Sequence, residues 1–314
     1  MKGKRITDII STTDFTRKDL DFFVRAAFRF EKMPFLKKSK VLRGKIVALL
    51  FFEPSTRTKM SFETAAKTLG AEVIGFENAK STSSSKGETF HDSIKTISKY
   101  ADLLVIRHPN NGAAEKAVLA SDKPVINAGA GSGEHPTQAI LDLFTIKKEL
   151  GKIDSLNIGM IGDLKYGRTV HSLSKALAKY KTNLFLISPK QLKMPAEVKK
   201  ELNGKIKFEG TDLNKVLPKL DILYVTRVQK ERFKNLNEYN KAIKGYQINK
   251  SILKHAKKNL KIMHPLPRVN ELSTDLDETK NALYFKQAKN GVPVRQALLA
   301  FLLKVKNRKT RKNK

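Results

Sequence analysis

The segment Ser55-Thr56-Arg57-Thr58 sets three hydroxyls and one guanidinium in four consecutive positions. That donor set suits a phosphate-like dianion, which takes neutral hydrogen bonds on several oxygens and a charged fork on two. Ahead of it, Ile46-Val47-Ala48-Leu49-Leu50-Phe51-Phe52 is an unbroken apolar run of strand length, the pattern of a strand covered on both faces. Behind it, Met60, Ala65, Ala66 and Leu69 fall at helical spacing and Gly70 supplies a stop. The four residues therefore open a helix, where free backbone N–H groups and the positive end of the helix dipole reinforce anion binding. A plain helix cap needs a single hydroxyl, so three of them with an arginine alongside point to a ligand.

Further polar groups stand where apolar runs end. Arg107-His108-Pro109 follows Leu103–Ile106, and His135-Pro136-Thr137-Gln138 opens a helix. Asn157–Ile161 leads into Gly162-Asp163-Leu164-Lys165-Tyr166-Gly167-Arg168. Glycines at 159, 162 and 167 do not make G-x-G-x-x-G, which argues against a dinucleotide cofactor. Arg168 at a helix entrance opposes the dipole, which favours a ligand role over a structural one. Asp221–Val225 runs into Thr226-Arg227-Val228-Gln229-Lys230-Glu231-Arg232. Ligands of open α/β sheets bind beyond such carboxyl ends. Arg227 and Gln229 are two apart, so in extended chain they point the same way and can fork onto a carboxylate. A solvated charged loop is the other reading. His264-Pro265-Leu266-Pro267-Arg268 ends another strand, with two prolines fixing where its carbonyls point. Ser81-Thr82-Ser83-Ser84-Ser85-Lys86-Gly87-Glu88-Thr89 reads on composition as a flexible loop. His91, His171 and His255 read as structural.

Glu53-Pro54-Ser55-Thr56-Arg57-Thr58, followed by Ser61-Phe62-Glu63, resembles the carbamoyl-phosphate signature of the aspartate/ornithine transcarbamoylase family. The likeness runs from about Ile9 to Val305, and the Arg168 and Arg227 segments resemble the aspartate-using branch. Ornithine-using members carry a cysteine in the segment matching His264–Arg268, and this chain has none. The resemblance implies transfer of the carbamoyl group of carbamoyl phosphate to L-aspartate, a step of pyrimidine synthesis, with another amine acceptor such as ornithine as the alternative. It assigns carbamoyl phosphate to Ser55, Thr56, Arg57, Thr58, Arg107, His135 and Gln138, and to the carbonyls of Pro265 and Leu266. Among these, Arg57, Thr58, Arg107 and His135 are the catalytic group. Aspartate is assigned to Lys86, Arg168, Arg227 and Gln229, with Arg168 matched to its α-carboxylate and Arg227 with Gln229 to its second carboxylate. Lys86 and Thr82 are matched to a loop that enters the neighbouring subunit's site, so the resemblance implies a homotrimer with shared active sites. Which hydroxyl of Ser81–Ser85 meets phosphate stays open. The family pattern implies no cofactor, no metal and a possible separate regulatory chain.

Chain length fits the elements such a site requires. The 314 residues suit two domains of roughly 150 each. Strand-like runs recur at Ile46–Phe52, Val73–Phe76, Leu103–Ile106 and Val125–Asn127, and again at Asn157–Ile161, Leu184–Ile187, Ile222–Val225 and Ile262–His264. Helical stretches lie between them. Thr16-Arg17-Lys18-Asp19 resembles a capping box ahead of the stripe Leu20, Phe23, Val24, Ala27 and Phe28. Pro136 suits the first position of a helix through Leu150, ended by Gly151. The expected fold is α/β, with two doubly wound parallel-sheet domains of similar size. Residues 1–134 with 292–305 form a carbamoyl-phosphate domain, 135–291 an aspartate domain and 306–314 a basic tail. The last helix, Val294–Val305, is expected by resemblance to cross back to the first domain.

No apolar run reaches the roughly 18 residues of a membrane span, and the basic start leads into Thr7-Asp8 rather than an apolar signal core. A cytoplasmic enzyme is therefore expected. The absence of cysteine removes disulfides and thiolate nucleophiles. The six histidines never fall three to five apart, so no metal site is expected. Net charge is +32, yet the lysines are spread along the chain without interleaved aromatics, which argues against nucleic-acid binding. The exception is Lys304–Lys314, with seven basic residues in eleven, which reads as a solvated tail.

Overall fold

Apolar runs rich in Val, Ile and Leu become the central strands of two parallel sheets, as their lack of polar alternation requires. The structure, a computed structural model, describes residues 6–78, 82, 86–131, 133–202, 204–228, 235, 237–239 and 246–310, with 304–310 described by backbone alone. By packing, the chain divides into one unit of Met1–Phe144 with Asn290–Lys314 and a second of Thr145–Lys289.

In the first unit the strands β1 (Ile46–Phe51), β2 (Glu72–Phe76), β3 (Leu103–His108) and β4 (Val125–Ala130) pair in the order β2-β1-β3-β4, all parallel. Helices α1 (Arg17–Lys32), α2 (Phe35–Lys38), α3 (Thr56–Thr68), α4 (Phe90–Tyr100) and α5 (Ala113–Ala120) accompany them. Thr16 and Asp19 form the expected capping box on α1. Helix α6 (Pro136–Leu150) has the expected bounds. The second unit holds β5 (Asn157–Ile161), α7 (Arg168–Ala178), β6 (Asn183–Ile187), α8 (Ala196–Lys200), β7 (Ile206–Gly210), β8 (Ile222–Val225) and β9 (Lys261–Met263). Its sheet order is β7-β6-β5-β8-β9, again all parallel. The chain closes with α9 (Tyr284–Thr310).

Several elements differ from the sequence reading. Met60 is 61% exposed, and the buried face of α3 is Thr58, Phe62, Ala65 and Ala66. Residue 60 lies two positions from both 58 and 62, which turns it to the opposite side of a 3.6-residue helix. Strand β3 runs on through Arg107 and His108, because the ladder with β1 continues to Phe51↔Arg107. Strand β7 was not among the expected strands, since Ile206-Lys207-Phe208-Glu209-Gly210 alternates and only half buries, as an edge strand does. Helix α9 starts at Tyr284 and contains Pro293, a residue that sequence logic places at a helix start. It also continues to Thr310, so the backbone of the first part of the basic tail is helical.

The C-terminal part of α9 belongs to the first unit, as expected. Phe301 packs edge-on against Phe22 and Phe23 of α1, with centroids 5.5 and 5.2 Å away. The packing units divide within α6 and α9, not at the ends of those helices. Ala139, Ile140, Leu141, Leu143 and Phe144 on the first half of α6 are all buried. Among the described residues no helix is long and apolar enough to cross a membrane.

Candidate active site

Each sheet has one point where neighbouring connections leave in opposite directions, and ligands of open α/β folds bind in the crevice that this opens. In the first unit it lies between β1 and β3, at their carboxyl ends. Helix α3 begins just past β1. Its N-cap, Ser55, is extended (φ −159°) and makes no side-chain capping bond. The Ser55 hydroxyl is thus not spent on its own helix. Thr56 and Arg57 are exposed and Thr58 is buried. The first turn carries no acidic residue that would neutralise its dipole. Arg57 is crowded by protein atoms although its surface reaches solvent, and this partial desolvation lowers its guanidinium pKa from the usual value.

Strand pairing brings the second cation to the same place. Phe52 N–H donates to Arg107 O at 2.8 Å, directly extending the β1–β3 ladder. The Arg107 guanidinium pairs with Glu53 Oε1 at 2.8 Å, and both side chains are largely buried. Its Nη1 also reaches Ala128 O on β4 at 3.5 Å. His108, next along β3, is packed against Phe52 and Phe90, and burial lowers its pKa. His135 is 3% exposed at the start of α6. Its carbonyl accepts the N–H groups of Gln138 and Ala139, and its Nδ1 lies 3.5 Å from Thr137 Oγ1. Gln138 Nε2 donates to Asp142 Oδ1 at 2.9 Å. Among the residues expected to act on carbamoyl phosphate, Ser55–Thr58 and Arg107 thus stand on adjoining strand ends, and His135 and Gln138 on one helix turn.

The second crevice lies between β5 and β8. Gly162 leaves β5 with φ +113°, and a Cβ there would stand 2.3 Å from Thr226 O. Only glycine allows the two strand ends to approach this closely. Thr226 N–H donates to Ile161 O at 2.9 Å, and its hydroxyl donates to the same oxygen at 3.1 Å. Buried Asp163 then turns back on its own loop, accepting the N–H groups of Lys165 at 3.0 Å and Tyr166 at 2.9 Å. His171 Nε2 donates to Leu164 O at 2.8 Å, the structural role expected of that histidine. Arg168 opens α7 directly after this pinned loop. Arg227 follows Thr226 and is half-buried. Gln229 lies outside the described residues, as do Ser81 and Ser83–Ser85. Thr82 is half-buried and Lys86 exposed, ahead of Gly87 at φ +92°.

Past β9, Pro265 and Leu266 are fixed by partners that their motif does not reveal. His264 Nε2 donates to Glu271 Oε1 at 2.8 Å, while its Nδ1 accepts Leu266 N–H at 2.8 Å. One donor and one acceptor are what a neutral imidazole offers. Gln287 Oε1 accepts His264 N–H at 2.9 Å. Leu266 takes φ +56° and the Leu266–Pro267 bond is cis. Arg268, from the same motif, forks onto Asp277, with Nη2 2.6 Å from Oδ2, and lies over the Tyr284 ring. It braces the loop. The roles of Asp142, Asp163, Thr226, Glu271 and Gln287 were not anticipated, and only the position of Asp163 and Thr226 beside expected ligands gave a signal.

Two family matches cover the chain in succession. Residues 7–148 match the aspartate/ornithine carbamoyltransferase carbamoyl-P binding domain, and residues 154–302 match the Asp/Orn binding domain of that family. The chain belongs to the aspartate/ornithine carbamoyltransferase family. It is 55% identical to the aspartate carbamoyltransferase catalytic subunit of Thermococcus kodakarensis, over 95% of this chain and 97% of that one. It is 51% identical to that of Methanobrevibacter smithii, over 95% of each chain. The catalytic subunit of M. jannaschii aspartate transcarbamoylase superposes with a TM-score of 0.88 at 45% identity, over 95% of this chain and 98% of that one. Trypanosoma cruzi aspartate transcarbamoylase in complex with carbamoyl phosphate and aspartate gives 0.87 at 38% identity, over 95% of each chain. As a carbamoyltransferase, the chain carries its phosphate-type donors in the first matched domain and Arg168 and Arg227 in the second.

Proposed function

We propose that this carbamoyltransferase moves the carbamoyl group of carbamoyl phosphate to the amine of L-aspartate, giving N-carbamoyl-L-aspartate and phosphate. The observation that carries the reading is that each unit has its own anion-type crevice: hydroxyls, a helix start and arginines at β1/β3 in the first, and arginines at β5/β8 in the second. Ser55, Thr56 and Arg57 bind the phosphate. Arg107, His135 and Thr58 stabilise negative charge on the carbonyl oxygen as the amine adds to the carbonyl carbon. One well-placed donor of this kind contributes about 3 kcal/mol. Gln138 and the carbonyls of Pro265 and Leu266 take the carbamoyl amine. Arg168 holds the α-carboxylate of aspartate, and Arg227 with Gln229 holds the side-chain carboxylate. Collapse of the tetrahedral adduct breaks the C–O bond to phosphate, and the departing phosphate accepts the amine proton. Much of the acceleration then comes from holding two anions in attacking geometry. Carbamoyl-transfer assays with aspartate and ornithine side by side test the reading; preference for ornithine overturns it.

The same reading includes a cytoplasmic homotrimer in which Lys86 and Thr82 act in a neighbour's site, with a separate regulatory chain as a partner. The word "catalytic" in the names of the relatives supports that last element. The shared site has a direct test. Lys86→Ala and His135→Ala trimers are each expected to be nearly inactive. Refolded together, each 2:1 hybrid holds one intact site in three, so recovery is bounded at about one third of wild type per hybrid by ring symmetry. No recovery despite demonstrated hybrids rejects the shared site.

A further inference from the structure

Gln138 has one donor end and one acceptor end, and a carbamoyl amine needs only the acceptor. What decides which end faces a ligand lies on α6 itself and on α9. Gln138 Nε2 sits 2.9 Å from Asp142 Oδ1, one helical turn along α6. Both residues are buried, Asp142 completely. An ionised carboxylate only accepts hydrogen bonds, so it takes the NH₂ end of the amide and turns the carbonyl end away. This holds only while the carboxylate stays ionised. A protonated acid donates as well, and would receive the amide the other way round.

The charge that answers Asp142 comes from α9. Arg295 is 3% exposed, and the Asp142 carboxylate acts electrostatically on its guanidinium. Burial lowers the Arg295 pKa to about 10, against the pull of Asp142, which leaves it a cation throughout the neutral range. A neighbouring cation favours the ionised form of a buried carboxylate. The guanidinium is boxed in: its centre lies 5.0 Å from the Phe62 ring centroid on α3. One turn earlier on α9 stands Gly291, where an added Cβ would come 2.1 Å from Arg295 Nη1. Next along α9, Gln296 Nε2 donates to Thr68 Oγ1 at 2.6 Å, fastening α9 to the helix that Ser55 begins.

We infer that Asp142 is a positioning residue that holds the Gln138 amide with its oxygen towards the substrate, so that the site accepts an acyl phosphate bearing N–H and rejects one bearing methyl. The inference rests on the proposed role of Gln138 towards the carbamoyl amine. Carbamoyl phosphate and acetyl phosphate have nearly the same shape, and differ in whether that position donates a hydrogen bond. A site built around such a bond discriminates strongly against an isostere that lacks it.

The probe is the ratio of kcat/KM for carbamoyl phosphate to that for acetyl phosphate, with aspartate saturating. Where acetyl transfer is too slow to time, the ratio of the two dissociation constants replaces it. Asp142→Asn offers both a carbonyl and an NH₂, so the Gln138 amide settles either way round. The expected result is a ratio at least about tenfold below wild type, the loss of roughly one charged hydrogen bond's selectivity. Inorganic phosphate affinity stays unchanged and Arg295→Lys keeps most of the ratio. Equal losses with both acyl phosphates, or no change, overturn the inference and leave Asp142 a purely structural residue. Should Asp142→Asn not fold, exchange of the Gln138 side-chain amide protons in wild type decides, assigned by their loss in Gln138→Met. Exchange at least about tenfold slower than that of exposed Gln191 supports the hydrogen bond, and exchange at the Gln191 rate overturns it. If wild type transfers no carbamoyl group to aspartate, the parent reading fails instead.

Discussion

At the β1/β3 crevice an acidic side chain holds an arginine, Glu53 on Arg107 at 2.8 Å, whereas at the β5/β8 crevice an acidic side chain holds backbone, Asp163 on the N–H groups of Lys165 and Tyr166. The first arrangement aims one cation. The second shapes a whole loop, and Arg168 is positioned because the turn before it is. Thr226 reinforces the second arrangement with backbone and hydroxyl bonds to one carbonyl. Charge stabilisation at a single oxygen calls for accurate aim of individual donors, while recognition of a flexible diacid calls for a loop of fixed outline.

Substitutions separate the two designs. The largest effect is expected for Arg107→Ala, which removes a donor and the ion pair with Glu53: kcat falls about 10²- to 10³-fold, with aspartate KM little altered. A drop confined to KM would place Arg107 in uniform binding. Arg227→Ala is expected to lose about 3 kcal/mol of transition-state binding, seen as a raised aspartate KM and a lowered kcat. Wild-type kcat/KM for aspartate in that variant removes Arg227 from the site.

The smallest effect is expected in stability, at the loop that follows β9. Burial pushes the Glu271 carboxyl upward, but the hydrogen bond from His264 and backbone N–H groups outweigh it and hold its pKa below the usual range. A depressed carboxyl contributes stability that is present above the unfolded pKa and lost as pH falls through the folded one. Glu271→Gln is therefore expected to be about 1–3 kcal/mol less stable near neutral pH, with a shallower loss of stability on acidification below about pH 4.5. Melting temperatures measured from pH 7 downward check both; parallel curves for variant and wild type reject the account.

Much of this was legible because it is local. Strand-length apolar runs, the Thr16–Asp19 capping box, Pro136 at a helix start and Ser-Thr-Arg-Thr after a strand each carry their meaning within a few residues. The parts that escaped reading depend on contacts across the chain. Nothing near Asp142 announces Arg295, and nothing near Glu271 distinguishes it from the surface acids around it. Met60 shows the converse, since an apolar residue close to the right spacing still faces outward once the other helix positions define the buried face.

The first unit is completed by the last stretch of chain, with Val294, Leu298 and Leu302 buried and Phe301 seated against α1. Synthesis runs in the other order. When Phe144 leaves the ribosome, the apolar surface that α9 covers is still open, and the segment that covers it is not yet made. At about 5–20 residues per second, the intervening second unit takes roughly 7–30 seconds to emerge. The unit that begins the chain therefore cannot finish folding until nearly all of the chain has been made, and for that interval part of its apolar surface stays uncovered.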